Sequence, residues 1–161
     1  KMDEDYKVEI KGSITEEIPL CGSDFKKFKH VKKYINEIYE RIREDGFTKY
    51  NAWFLVTNYG IQTETILNYY SDQNGEDNET RLAFAELRFG IDYEMVQNPM
   101  DFFIRRTGRL YFDIDSVRSL MDPVLEVFKR TYKVDDTQIS NWKEELDTQI
   151  EEHSNFTLDR N

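Results

Sequence analysis

The sequence predicts a mostly α-helical fold, a compact orthogonal domain of about five to seven helices with room for one short extended segment. Three observations carry that prediction. Apolar side chains recur at i, i+3 and i+4 along most of the chain. Helix start and stop signals bracket those runs. Strand-like alternation is clear in one short stretch, Leu87 to Met95, and slight at Val8 and Ile10, where a linker is preferred to a short edge strand.

The first helix is carried by Val31, Tyr34, Ile35, Ile38, Tyr39 and Ile42, with Gly46 to close it. Lys26, Lys27, Lys29, Lys32 and Lys33 crowd its beginning, where the helix dipole prefers anions. An acidic or phosphate-bearing partner is one reading of that run. The other, which we adopt, is a solvated face that balances an acidic chain.

Asn51 is placed to cap a short helix ending at Tyr59 before Gly60, and Gln62 or Thr63 opens another through Ile66, Leu67 and Tyr70. Asp72 to Asn78 reads as a mobile polar loop. Its oxygen spacing resembles a calcium loop but lacks the sixth-position glycine and the twelfth-position glutamate. Thr80 to Val96 is read as a helical start giving way to an extended stretch, because Gly90 and the aromatic content weaken a purely helical reading.

Next comes Asn98-Pro-Met-Asp-Phe-Phe-Ile-Arg-Arg-Thr-Gly108. Asn98 suits a helix cap, Pro99 its first position and Gly108 its left-handed end. In α-helical spacing Met100, Phe103, Ile104 and Thr107 share a face, and Asp101 stands one turn before Arg105. Asp113 to Asp115 reads as a turn with a helix cap, in preference to a pair for metal or acid–base work. Val117, Leu120, Met121, Val124, Leu125, Phe128 and Tyr132 then form a helical stripe, either kinked at Pro123 or restarted there. Ile139, Trp142, Leu146 and Ile150 define the last helix, capped from Asp135 to Thr137.

Composition narrows the function. A chain of 161 residues with 39% hydrophobic, 34% charged and 14% aromatic residues can bury one core. Its net charge of -10 argues against nucleic acid as a partner. No run approaches the roughly 20 apolar residues of a transmembrane segment. Cys21 is the only cysteine, which fits a reducing compartment, and no leader pattern is seen, so a cytoplasmic setting is expected. Lys1 ahead of Met2 reads as a piece of a longer polypeptide.

No self-sufficient active site emerges. Cys21, His30 and His153 are too few and too scattered for zinc, and each histidine reads as an ordinary surface residue. Neither a phosphate loop nor a nucleophile elbow is present. Asn78-Glu-Thr80 and Asn155-Phe-Thr157 read as chance matches to the glycosylation pattern. Arg105, Arg106 and Arg109 are suited to phosphate. The alternative, which we favour, is a buried structural lock in which Arg105 pairs with Asp101, and Arg106 with Glu86 or Glu94.

Ala85-Glu-Leu-Arg-Phe89, Glu94, Asp101-Phe-Phe-Ile-Arg-Arg-Thr107 and Leu110-Tyr-Phe112 together resemble the C-terminal domain of FAD-dependent glycerol-3-phosphate dehydrogenases. Tyr50 to Gly60 and Tyr93-Glu-Met-Val96 are more similar to the alpha-glycerophosphate oxidase branch. The likeness runs over about residues 18–152, with Ile18 to Gly22 similar to the junction after the flavin domain. With the breakers and polar ends of the chain, this divides it into a linker over 1–22 from a missing flavin domain, a C-terminal helical domain over 23–152 and a frayed tail over 153–161.

The resemblance implies a parent enzyme that oxidises sn-glycerol 3-phosphate to dihydroxyacetone phosphate with FAD, passing electrons to oxygen or to a quinone. That enzyme is expected in the bacterial cytoplasm, with a peripheral membrane position left open. This piece itself is expected to be non-catalytic and to hold no cofactor. Its partners would be the flavin and substrate domains of the parent chain, with a homo-oligomer as a further option. Glu86, Glu94, Asp101, Arg105, Arg106 and Thr107 carry over as a family motif read as a structural ion-pair network. The alternative is an autonomous helical interaction module.

Overall fold

The computed structural model describes residues 12, 15–18, 25–73 and 77–154. Among them every regular element is helical, and no strand occurs. The internal contacts group into two compact units, Lys1–Thr63 and Glu64–Asn161. Cys21, the sequon at Asn155 and nearly all of the region read as a linker lie outside the described residues, which include only a short 3₁₀ turn at Thr15–Glu17 there.

The first unit is built on two helices, α1 (Phe28–Ile42) and α2 (Lys49–Tyr59). α1 buries Ile35, Ile38 and Ile42 along one stripe, as its apolar spacing predicts. A 3₁₀ turn and Gly46, at φ 89°, then reverse the chain. α2 starts earlier than the sequence indicates. Thr48 is the cap and Asn51 its third-residue partner, receiving the Thr48 amide at 2.9 Å. After Gly60, Thr63 donates its hydroxyl to the carbonyls of Gly60 (2.8 Å) and Leu55 (3.2 Å), which satisfies a buried polar side chain locally.

The second unit holds most of α3 (Thr63–Asp72), then α4 (Asn78–Tyr93), a π-helical segment (Asp101–Arg106), α5 (Arg109–Phe112), α6 (Ile114–Tyr132) and α7 (Asp136–Ser154). Its core gathers Leu87, Phe102, Phe103, Leu110, Phe128 and Leu146, all 1% exposed or less.

The ambiguous stretch is helical through Tyr93, contrary to the extended reading. Glycine was the misleading signal. A Cβ on Gly90 would stand 2.8 Å from Val96 Cγ2, so the missing side chain serves close packing of the turn that follows. Met95, at φ 59°, makes that turn.

Asp113 caps α6, as expected, accepting the Ser116 amide at 3.3 Å, and α6 runs unbroken through Pro123. Leu120, Met121, Val124 and Leu125 are buried on both sides of the proline, so packing holds the two halves in one helix. Asp135 caps α7 through the Gln138 amide at 2.8 Å. α7 continues through His153 and Ser154: His153 bonds the Gln149 carbonyl at 2.8 Å and sets its ring against Tyr111. His153 is therefore a packed residue and not a free surface one.

Candidate functional site: the arginine segment

The site is assembled by the stretch from Asn98 to Arg109. Asn98 Oδ1 accepts the Asp101 amide at 2.9 Å, as a cap should, and Gly108 ends the segment at φ 64°. Between them the helix is π-wound and not α-wound. The Thr107 amide reaches back five residues to the Phe102 carbonyl at 3.0 Å, and the Thr107 hydroxyl reaches the same oxygen at 2.8 Å. An α-helix turns about 100° per residue, so three consecutive side chains spread over more than half of its circumference. The wider winding buries Asp101, Phe102 and Phe103 together. Phe102, off the face expected from α-spacing, is fully enclosed and packs on Phe103 at 5.1 Å between ring centroids.

The carboxylates and guanidiniums sort themselves by depth. Asp101 accepts the Gln97 amide at 3.1 Å and Arg105 Nη1 at 2.5 Å, but the Arg105 side chain is 72% exposed. Arg106 donates to the backbone carbonyl of Glu94 at 2.6 Å and approaches its carboxylate only at 3.9 Å. Both arginines are exposed, so the buried lock expected of them is not where the structure places it.

The buried pair is Glu86 with Arg109. Arg109 Nη2 meets Glu86 Oε2 at 2.7 Å, their side chains 13% and 1% exposed respectively. Arg109 Nη1 also reaches Ser116 Oγ at 3.3 Å. Sequence reading named Arg109 but did not pair it with Glu86. The signal was available: Glu86 falls on the apolar face with Leu82, Ala85 and Phe89, where an acid requires a cation that is itself enclosed.

Burial raises the Glu94 carboxyl above the usual range, with Arg106 pulling it down and Glu86 adding to the rise. The turn carrying Glu94 is pinned by the Val96 amide on the Gly90 carbonyl (3.0 Å) and by the Tyr132 hydroxyl on the Val96 carbonyl. It holds Tyr93 and Met95 outward, at 60% and 78% exposure. Phe112, after Gly108, is 89% exposed.

Chemically, the arrangement can brace the unit. A phosphate approaching these arginines would compete with carboxylates already at 2.5 and 2.7 Å. FAD finds no fit here, since the described residues contain no strand and hence no strand–glycine loop–helix. Among the described residues, no group of three His, Cys, Asp or Glu side chains is placed to hold a metal.

Comparison with known proteins gives a consistent result. Residues 13–139 match the family described as the C-terminal domain of alpha-glycerophosphate oxidase. The chain is 25% identical over 153 residues to an aerobic glycerol-3-phosphate dehydrogenase of Staphylococcus epidermidis, covering 94% of this chain and 28% of that protein. It is 26% identical over 155 residues to the one from Staphylococcus haemolyticus, with the same coverage. Among solved structures, the glycerol-3-phosphate dehydrogenase from Bacillus halodurans, complexed with FAD, shares the fold with a TM-score of 0.79 at 24% identity. That match covers 98% of this chain and 32% of the other. The chain thus spans less than a third of the relatives it matches.

Proposed function

Since the chain belongs to the family of C-terminal domains of alpha-glycerophosphate oxidase, we propose that it is the non-catalytic accessory domain of a flavoenzyme that oxidises sn-glycerol 3-phosphate. The parent enzyme would form dihydroxyacetone phosphate with FAD and pass the electrons to oxygen, giving hydrogen peroxide, or to a quinone. One observation carries the accessory role. The charged motif of this domain is answered by its own carboxylates and carbonyls, Arg105 by Asp101, Arg106 by Glu94 and Arg109 by Glu86. Those contacts support reading Glu86, Glu94, Asp101, Arg105, Arg106 and Thr107 as a structural brace, with Arg109 added to it.

Flavin and substrate binding then fall to the remaining polypeptide, which this domain supports directly or through subunit contacts. A cytoplasmic setting fits, as no helix among the described residues is long and apolar enough to cross a membrane. The test is to express the parent enzyme with and without residues 13–154 and assay flavin content, glycerol-3-phosphate oxidation and oligomeric state. The accessory reading expects a loss in at least one of the three; three unchanged values on deletion overturn it.

A further inference from the structure

Resting on that reading, we infer that the groove between α1 and α2 is the docking face of this domain, and that its occupant is an acidic, aliphatic-bearing stretch of the parent polypeptide that precedes it. The groove has a volume of about 490 Å³ and is lined by Lys32, Ile35, Asn36, Lys49, Tyr50 and Trp53. Its floor is apolar and its rim cationic. The Tyr50 and Trp53 rings lie 5.5 Å apart, 65% and 47% exposed, a large aromatic area left to solvent. Beyond its end, Phe28 is 71% exposed with the Lys32 ammonium 5.1 Å from its ring centroid.

Charge names the chemistry of the occupant. Neither α1 nor α2 has an acid in its first turn, and both begin among lysines, Lys26, Lys27 and Lys29 for α1 and Lys49 for α2. Lysines there add to the positive end of each helix dipole, so the rim favours carboxylates over water more strongly than scattered lysines would. Among the described residues, no ion pair engages Lys32 or Lys49, whereas Lys33 is already held by Glu37 at 3.0 Å. Aromatic floor and cationic rim together call for aliphatic side chains interleaved with Asp or Glu.

The length of chain outside this domain supports a source within the same polypeptide. The relatives extend well beyond the matched region, which is 28% of their length. A C-terminal domain is entered from the preceding one, and α1 starts within about 50 Å of residue 13 even on a fully extended tether. Attachment within one polypeptide raises the effective concentration of such a segment, enough for a groove of modest intrinsic affinity to stay filled. A concave site on a chain of net charge -10 suits such a segment better than a flat anionic bilayer.

Hydroxyl-radical footprinting of the full-length parent enzyme tests this. Tyr50 and Trp53 should label about tenfold more slowly than their exposure in this domain implies, as expected for a tethered segment about 90% docked. Lys32→Glu with Lys49→Glu, both on exposed side chains, should restore labelling without changing the helical circular dichroism; Lys49→Gln should restore it partly. Labelling at the rate of freely exposed rings in the wild-type enzyme overturns the inference. So does protection that appears only with phosphatidylglycerol vesicles, which would make the occupant a membrane, or only as enzyme concentration rises, which would make it a second copy. These outcomes read the docking face alone; the accessory role itself stands or falls on the deletion assay.

Discussion

Glu86 Oε2 and Arg109 Nη2 meet at 2.7 Å within the second unit, joining α4 to the start of α5 across 23 residues of sequence. Removing one partner leaves a charge in a place that water hardly reaches. Arg109→Met is therefore expected to cost about 3–5 kcal/mol in urea unfolding. Arg105→Ala, on a side chain 72% exposed, should cost at most about 1 kcal/mol. Equal losses for the two would contradict the depth ordering of the arginines.

The close approach of α4 to the turn beyond it makes a sharper prediction. Gly90→Ala should gain up to about 1 kcal/mol of helix propensity, yet destabilise overall. Its new methyl needs the place held by Val96 Cγ2, 2.8 Å away, and such overpacking costs about 1–3 kcal/mol. Trimming the neighbour should relieve the clash. The double variant Gly90→Ala with Val96→Ala is expected to lose less than the two single changes added together, by at least about 0.5 kcal/mol in a double-mutant cycle. Strict additivity would count against the contact.

Phe102 reports on the winding of its segment. Fully enclosed, it should cost about 3–5 kcal/mol on truncation to alanine. Were the segment α-wound with Phe102 on the outer face, the loss would stay within about 0.5 kcal/mol. Thermal unfolding of Phe102→Ala separates the two.

Two carboxylates should respond to pH with opposite signs. Burial, opposed by Arg106 and reinforced by Glu86, holds the Glu94 pKa above its unfolded value. The folded state then binds its proton more tightly, and ionising it costs stability as pH rises through the usual carboxylate range and beyond. Relative to Glu94→Gln, the wild type should thus lose ground as pH rises from the usual glutamate value through the raised one. Asp77 is held low by the Thr80 hydroxyl, and by the Thr80 and Glu79 amides. Its contribution is present above the usual aspartate value and disappears as pH falls through the lowered one. Urea midpoints for Glu94→Gln as pH rises above the usual carboxylate value, and for Asp77→Asn as pH falls below it, check both signs.

Much of the fold was legible because helices announce themselves locally. The apolar stripes of α1, α6 and α7, the Asn98 and Asp135 caps and the left-handed Gly108 needed only spacing and end chemistry. What was not legible depends on contacts made elsewhere. Gly90 looks like a helix breaker until Val96 occupies its missing side chain. Pro123 looks like a break, yet buried residues on both sides of it belong to one continuous helix. The π winding, which carries Phe102 inward beside Asp101 and Phe103, rests on an i to i+5 bond that i to i+4 counting has no means of showing. Of the site, the pairing of Arg105 with Asp101 could be read from spacing alone. That Glu86 needs an enclosed cation could be read as well, but not which one, because Arg109 lies beyond a chain reversal.

The turn at Glu94–Val96 carries a consequence for synthesis. It takes one anchor from α4 just before it, another from Arg106 twelve residues on and a third from Tyr132, thirty-six residues beyond Val96. A chain leaving the ribosome N-terminus first therefore carries Glu94–Val96 as an incompletely fastened turn until α6 has emerged. Ribosome-bound chains halted before Tyr132 should be cleaved by protease in this turn, whereas the released domain should resist.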